Sequence, residues 1–185
     1  MTRRFYLRAT ASVASAFVLS FAAIALTDPL PRVIWNASAS APLGLYRIRP
    51  DSDPPVGPLV AVAPPERLGR WMAERGYLGR DVPLLKHVAA KAGQRVCRVG
   101  ATISVDGRAV AVALIRDRIG RPLPAWQGCR MLAAGELLLL NPDHPDSLDG
   151  RYFGPLPAST VLGRAIPILT RDTPGAPLTW RAARP

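Results

Sequence analysis

The sequence predicts a mainly β domain of coiled antiparallel sheets with one short helix, preceded by an N-terminal transmembrane helix. Three observations lead there. An arginine cluster (Arg3, Arg4, Arg8) is followed by an uncharged stretch at 9–26. Beyond it, short apolar runs alternate with Gly and Pro, and the chain holds 20 prolines, too many for a helical domain. Only 66–75 carries helical spacing, with Leu68, Trp71 and Met72 as its apolar stripe.

With 185 residues, 49% of them hydrophobic and 20% charged, the chain has room for one cored domain plus an appendage and is not disordered. Its net charge of +11 comes from 22 Arg and 2 Lys against 13 acids. The arginines are scattered from Arg3 to Arg184, with no basic helix and no interleaved aromatics, so no nucleic-acid partner is expected. A basic surface close to anionic headgroups accounts for the charge more simply. Because Arg replaces Lys almost everywhere, Lys86 and Lys91 stand out; Arg stays charged, whereas a buried Lys can shed its proton and act as a base.

The 18 uncharged residues of 9–26 just suffice to cross a bilayer core, and the arginines before them place that end in the cytoplasm. A cleaved signal ending at Ala23-Ile24-Ala25 is the competing reading, but the stretch exceeds the usual apolar region of such signals. The expected division is 1–27 as cytoplasmic end and anchor, and 28–185 as an exported domain. Cys97 and Cys129, an even pair in an exported segment, are expected to form a disulfide closing a loop of about 33 residues, with two free thiols as the alternative. Their spacing has no metal pattern, and no cofactor is expected.

After a Pro-containing linker at 28–32, strands are expected at 44–49, 58–63, 84–89 and 94–99. Two more, 102–105 and 108–112, flank Asp106-Gly107, a two-residue hairpin turn. The last are 136–140 and 160–169, where Pro167 implies an edge or a bend. The helix begins after Pro64-Pro65 and ends at Gly76. Segment 116–128 reads as a polar surface loop or subdomain.

Three segments carry candidate chemistry. In Asn36-Ala37-Ser38-Ala39-Ser40-Ala41-Pro42-Leu43-Gly44-Leu45-Tyr46, small residues around Ser40 admit a substrate backbone, and Pro42 stiffens the turn; alone, this is an ordinary turn into a strand. In Val82-Pro83-Leu84-Leu85-Lys86-His87-Val88-Ala89, a lysine on an apolar strand must snorkel or be desolvated, and desolvation lowers its pKa toward that of a useful base. In Ser147-Leu148-Asp149-Gly150-Arg151-Tyr152-Phe153-Gly154-Pro155, Asp149 and Arg151 are placed to pair. His87 lies next to Lys86 on a strand and therefore points the other way; His144 reads as solvated and Lys91 as surface.

In order and wording these segments resemble the type I signal peptidases, most closely their conjugative-transfer, TraF-type branch. The matching stretches are Ser40-Ala41-Pro42-Leu43-Gly44-Leu45-Tyr46, Lys86-His87-Val88, Gly93-Gln94-Arg95-Val96, the box from Ser147 to Gly154, and Trp126-Gln127-Gly128-Cys129-Arg130. Departures from the branch's usual wording are Ala41, His87, Ala90 and Gln94, none of them a reacting group.

The resemblance implies coiled sheets of the signal-peptidase type and a single-pass inner-membrane protein with its catalytic domain in the periplasm. It implies Ser40 as nucleophile and Lys86 as general base. Ser38 and the Ser40 N–H would form the oxyanion hole, Ser147 would orient the base, and Asp149 with Arg151 would support the floor. The implied partners are a pilin precursor or another exported preprotein, and inner-membrane lipid, with hydrolysis or cyclisation of the acyl-enzyme as the outcome. The 14 residues from Leu26 to Ser40 reach at most ~50 Å, which keeps the nucleophile near the bilayer. Alternatives are a general type I signal peptidase, whose serine box usually has one more residue before the proline, and a non-catalytic exported scaffold.

Overall fold

The computed structural model describes residues 3–27 and 30–181. The chain divides into two compact units, Met1–Pro31 and Arg32–Pro185. In the first, α1 (Arg3–Thr27) is a 25-residue helix whose apolar window has a mean hydropathy of 2.0. At 1.5 Å per residue it is about 38 Å long, enough for a hydrocarbon core, and its side chains are exposed around the whole circumference. These properties fit a signal anchor or membrane span.

The second unit is built almost entirely from antiparallel strands. Its larger sheet contains β1 (Val33–Asn36), β2 (Leu43–Arg49), β3 (Leu59–Val62), β4 (Leu84–Ala90), β9 (Glu136–Leu140), β10 (Leu156–Pro157), β11 (Val161–Arg171) and β12 (Thr179–Trp180). The spatial order is β1-β2-β11-β3-β4-β9-β10, with β12 also on β11. The smaller sheet, ordered β7-β6-β5-β8, holds β5 (Arg95–Val99), β6 (Thr102–Val105), β7 (Arg108–Val112) and β8 (Gly128–Met131). Helix α2 (Glu66–Glu74) packs Met72 into the core, and the short α3 (Gly150–Phe153) follows the late motif.

β9 joins the two sheets through its side-chain period of two. Leu137 and Leu139 enter one core with Val60, Val62, Met72 and Val88, while Leu138 and Leu140 enter another with Val96, Ile103 and Leu132. A strand buried on both faces reads as an unbroken apolar run, and this one is four leucines. A third core, with Tyr46, Ile48, Ala61 and Leu85, lies beneath β2 and β3.

All eight expected strands are present, with bounds within two residues, and the architecture is the expected one. α2 ends through Gly76, at φ +67°, with Tyr77 N–H on Met72 C=O (2.9 Å) and Gly76 N–H on Ala73 C=O (3.0 Å). Pro167 sits where β11 shifts register against β2, the expected bend, although β11 is not an edge strand. Four strands and one helix were not legible. β1 is only four residues, β10 and β12 are two each, and β8 is exposed throughout, so none has an apolar pattern of its own. The loop expected at 116–128 is a tight turn closed by an Arg116–Pro122 bridge, and its last residue begins β8.

β8 is held by β5, where Cys97 and Cys129 face each other in register and form the disulfide, leaving no free cysteine. The bond spans 32 residues of chain, so replacing both cysteines by serine is expected to cost about 3–4 kcal/mol of stability on the chain-entropy account, measured by urea unfolding with the wild type as reference.

Candidate active site

The turn at 37–42 between β1 and β2 carries Ser38 and Ser40, and its shape is imposed by three residues. Asn36 Nδ2 donates to the carbonyls of Ser38 (3.0 Å), Ala41 (3.1 Å) and Pro42 (3.0 Å), while its Oδ1 accepts from Ser38 N–H and Ser38 Oγ–H, both at 3.1 Å. Tyr46 Oη donates to Pro42 C=O at 2.7 Å. Gly44 adopts φ +141°, and a Cβ there would lie 2.1 Å from Leu169 O, so only glycine lets β2 pass β11. The Pro, Gly and Tyr of the serine box are thus structural requirements of the turn that presents Ser40.

β4 supplies the amine. Lys86 pairs in register with Val60 of β3 and shares its face with Leu84 and Val88, which are in the apolar core. Lys86 is 3% exposed; its Nζ lies 3.2 Å from Ser40 Oγ and 2.9 Å from Ser147 Oγ. Ser38 Oγ lies 3.2 Å from Ser40 Oγ. Among the described residues Lys86 makes no ion pair. Desolvation by burial lowers its pKa from 10.5 to about 8; Asp149 pulls it up and Arg151 pushes it down.

Asp149 and Arg151 form a buried bidentate pair, Nε to Oδ1 at 2.9 Å and Nη2 to Oδ2 at 2.8 Å. The Arg151 guanidinium also donates to the carbonyls of Asn141, His144 and Pro145, which shapes the loop that brings Ser147 to Lys86. Gly150 is tight against β9, where a Cβ would meet Leu139 O at 2.9 Å. All seven side chains singled out in the sequence therefore have a place. Ser38, Ser40, Lys86 and Ser147 converge, Asp149 and Arg151 lie beneath, and His87 turns outward with Nδ1 2.7 Å from Gly57 O.

Lys91 lies at the surface as expected, half-buried and paired with Asp53 at 2.5 Å. One residue sits differently from expectation. His144 lines the cleft rather than a free loop. Two asparagines, Asn36 and Asn141, were not singled out, since a buried amide has no sequence pattern until its carbonyl partners are known.

The four converging side chains sit where two grooves meet. One, of about 490 Å³, runs past Met72, Leu84 and Leu148 toward the 117–121 turn; the other, of about 330 Å³, runs past Ile34, Trp35 and Val82. An extended chain can therefore approach Ser40 from either side. The site is a partly buried hydroxyl beside a desolvated amine in a peptide-sized cleft, an arrangement suited to nucleophilic acyl transfer.

The profile of the family described as "Signal peptidase, peptidase S26" matches residues 4–170, and the chain belongs to that family, in its TraF-type branch. It is 40% identical over 145 residues to the "Probable conjugal transfer protein TraF" of Sinorhizobium fredii, covering 73% of this chain and 76% of that one. It is 34% identical over 165 residues to the "Conjugal transfer protein TraF" of Agrobacterium tumefaciens, covering 85% and 92%. Among solved structures it is similar to a signal peptidase I from Enterococcus faecalis, with 15% identity, a TM-score of 0.37, and coverage of 60% and 96%.

With only two lysines in the chain, ¹³Cε-lysine labelling gives two side-chain signals. The Lys86 signal is expected to titrate near pH 8; a midpoint near the ordinary 10.5 would mean that the amine is hydrated. Folding also depends on this amine. Between about pH 8 and 10.5 the unfolded chain binds more protons than the folded one, so stability rises with pH across that window and the cost is fully present below it. That cost is on the order of 3 kcal/mol, so Lys86→Met is expected to stabilise the protein at pH 7, seen as a higher urea midpoint. Gly44→Ala is expected to destabilise by roughly 2 kcal/mol or more, in the same assay.

Proposed function

We propose that this chain is a membrane-anchored serine endopeptidase of conjugative transfer, with Ser40 as nucleophile and Lys86 as general base. The observation that carries the reading is the position of the Lys86 amine, buried and 3.2 Å from the Ser40 hydroxyl. When neutral, the amine accepts the Ser40 proton as Oγ attacks a substrate carbonyl. The resulting oxyanion is met by Ser40 N–H and by Ser38 Oγ–H, which leaves its resting bond to Asn36 to do so. Ser147 holds the amine on its other side, and Lys86 then passes the proton to the leaving nitrogen. The acyl-enzyme is released to water, or to the substrate's own N-terminal amine, which closes a ring.

The relatives are named as conjugal and plasmid transfer proteins, which supports a role in conjugation. The substrate in this reading is a pilin precursor held at the inner membrane, met by a catalytic domain on the periplasmic side of α1. The anchor boundary at 27 belongs to this reading, with α1 uncleaved.

Ser40→Ala and Lys86→Arg are each expected to lower processing by roughly 10³-fold or more while the protein stays folded. The measurement is the mass of a co-expressed pilin precursor in cells carrying each variant. Wild-type cleavage should rise with pH and level off above about 8, where the base is neutral. Retained processing by Lys86→Arg would sink the base assignment, and accumulation of many secreted precursors on deletion would instead indicate a general signal peptidase.

A further inference from the structure

Beneath the convergence of Ser40, Lys86 and Ser147 lies one residue that touches the supports of all three, by its side chain for the first two and by its backbone for the third. Asn141 follows β9 directly and is 2% exposed. Its Nδ2 donates to the backbone carbonyl of Ser40 at 2.5 Å and to that of Leu85 at 3.0 Å. Its Oδ1 accepts from the N–H of His87 at 3.3 Å. The same residue's N–H donates to Asp149 Oδ2 (3.0 Å), and its C=O accepts from Arg151 Nη2 (3.0 Å). The side-chain amide therefore bonds the nucleophile's own carbonyl and both residues flanking the base, while the backbone of the same residue bonds both members of the buried ion pair.

The bonds have a directional logic. Ser40 and Lys86 are 46 residues apart and sit on elements that are not neighbours in the sheet, since β11 and β3 lie between β2 and β4. Strand pairing therefore does not by itself set the distance between the two side chains. Among the described residues, the Asn141 amide is a link that spans the gap directly, from the Ser40 turn to the backbone on each side of Lys86. Asn36 shapes the same turn from within but reaches nothing on β4.

We infer that Asn141 is a positioning residue that sets the separation of the Ser40 hydroxyl and the Lys86 amine and keeps water from between them. This rests on the Ser40–Lys86 reading given above. Without the two Nδ2 donors, the buried carbonyls of Ser40 and Leu85 need other partners, and water is the available one. Water entering there rehydrates the amine and lets the turn move away.

The probe is p-nitrophenyl acetate with the purified full chain in detergent. Its acetyl group is transferred to Ser40 Oγ, forming an ester; p-nitrophenolate leaves and Lys86 takes the hydroxyl proton. Acetylation is located by peptide mass mapping and its rate followed against pH, with Ser40→Ala as control. Two variants are compared: Asn141→Ala, and Asn141→Asp, which keeps the volume and the acceptor for His87 N–H while losing both donors. Both are expected to slow Ser40 acetylation at least about tenfold and to move its pH midpoint upward. In Asn141→Ala the charges around Lys86 are unchanged: Asp149 and Arg151 beneath it, and His144, Asp146, Arg118 and the Asp117–Arg121 pair along the cleft. A shift there reports the hydration of the amine.

Folded variants with an unmoved midpoint overturn the inference, whether or not the rate falls, because loss of general stability slows acetylation without shifting it. If the wild type is not acetylated at Ser40, it is the Ser40–Lys86 reading that fails. Should both variants unfold, the wild type decides. The Asn141 side-chain NH₂ resonances should exchange slowly with solvent and move when Ser40 is acetylated; free-solvent exchange would overturn the inference.

Discussion

A buried amine that has no counter-ion among the described residues is the constraint on which the rest of this structure depends. Lys86 lies among Leu84, Val88 and the core of β3, and its hydrogen-bond partners are two hydroxyls rather than a carboxylate. A carboxylate beside it would hold the ammonium form in place. The carboxylate that acts on it, on Asp149, is committed to Arg151, and their effects on the amine oppose each other. The fold carries a buried basic group as a standing destabilisation, and the site's chemistry is what that group makes possible.

Such a group stays in place only if everything around it is satisfied. The Asp149–Arg151 pair is almost completely buried, yet both of its carboxylate oxygens and all three guanidinium nitrogens have partners, several of them backbone carbonyls of 141–145. A pair so enclosed contributes little net stability but fixes one loop geometry, because removing either member strands the other. The smaller sheet is tied to the same loop. Arg98, next to the disulfide, donates to Arg151 C=O, Trp126 Nε1 donates to Gly150 C=O, and Tyr152 Oη accepts from Leu114 N–H. The disulfide at Cys97–Cys129 thus braces a sheet that holds α3 through Arg98 and through the segments flanking β7 and β8, and α3 carries the ion pair beneath the base.

The serine box was legible from the small residues around Ser40, from Pro42 and from its resemblance to the family; the structure supplies the reasons for its other members. Pro42 restricts the turn, Gly44 passes a neighbouring strand where a Cβ would collide, and Tyr46 returns its hydroxyl to Pro42. The outward turn of His87 followed from strand alternation alone. The main strands were legible from their apolar runs, and α2 from its stripe and its glycine stop. β1, β8, β10 and β12 were not, because strands this short, or this exposed, exist only by pairing with a partner that a local pattern does not name.

What the sequence determined by itself is therefore the set of parts: an apolar N-terminal helix, a mainly β domain, a lysine on an apolar strand that must snorkel or lose its water, and the small-residue turn around Ser40. Those are consequences of local composition and periodicity. Tertiary structure alone decided that residues 40, 86 and 147 meet, that two grooves converge on them, and that Asn36 and Asn141 hold the arrangement. An asparagine amide becomes a brace only where carbonyls from distant strands arrive within hydrogen-bond reach, and that proximity is set by the packing of the whole sheet.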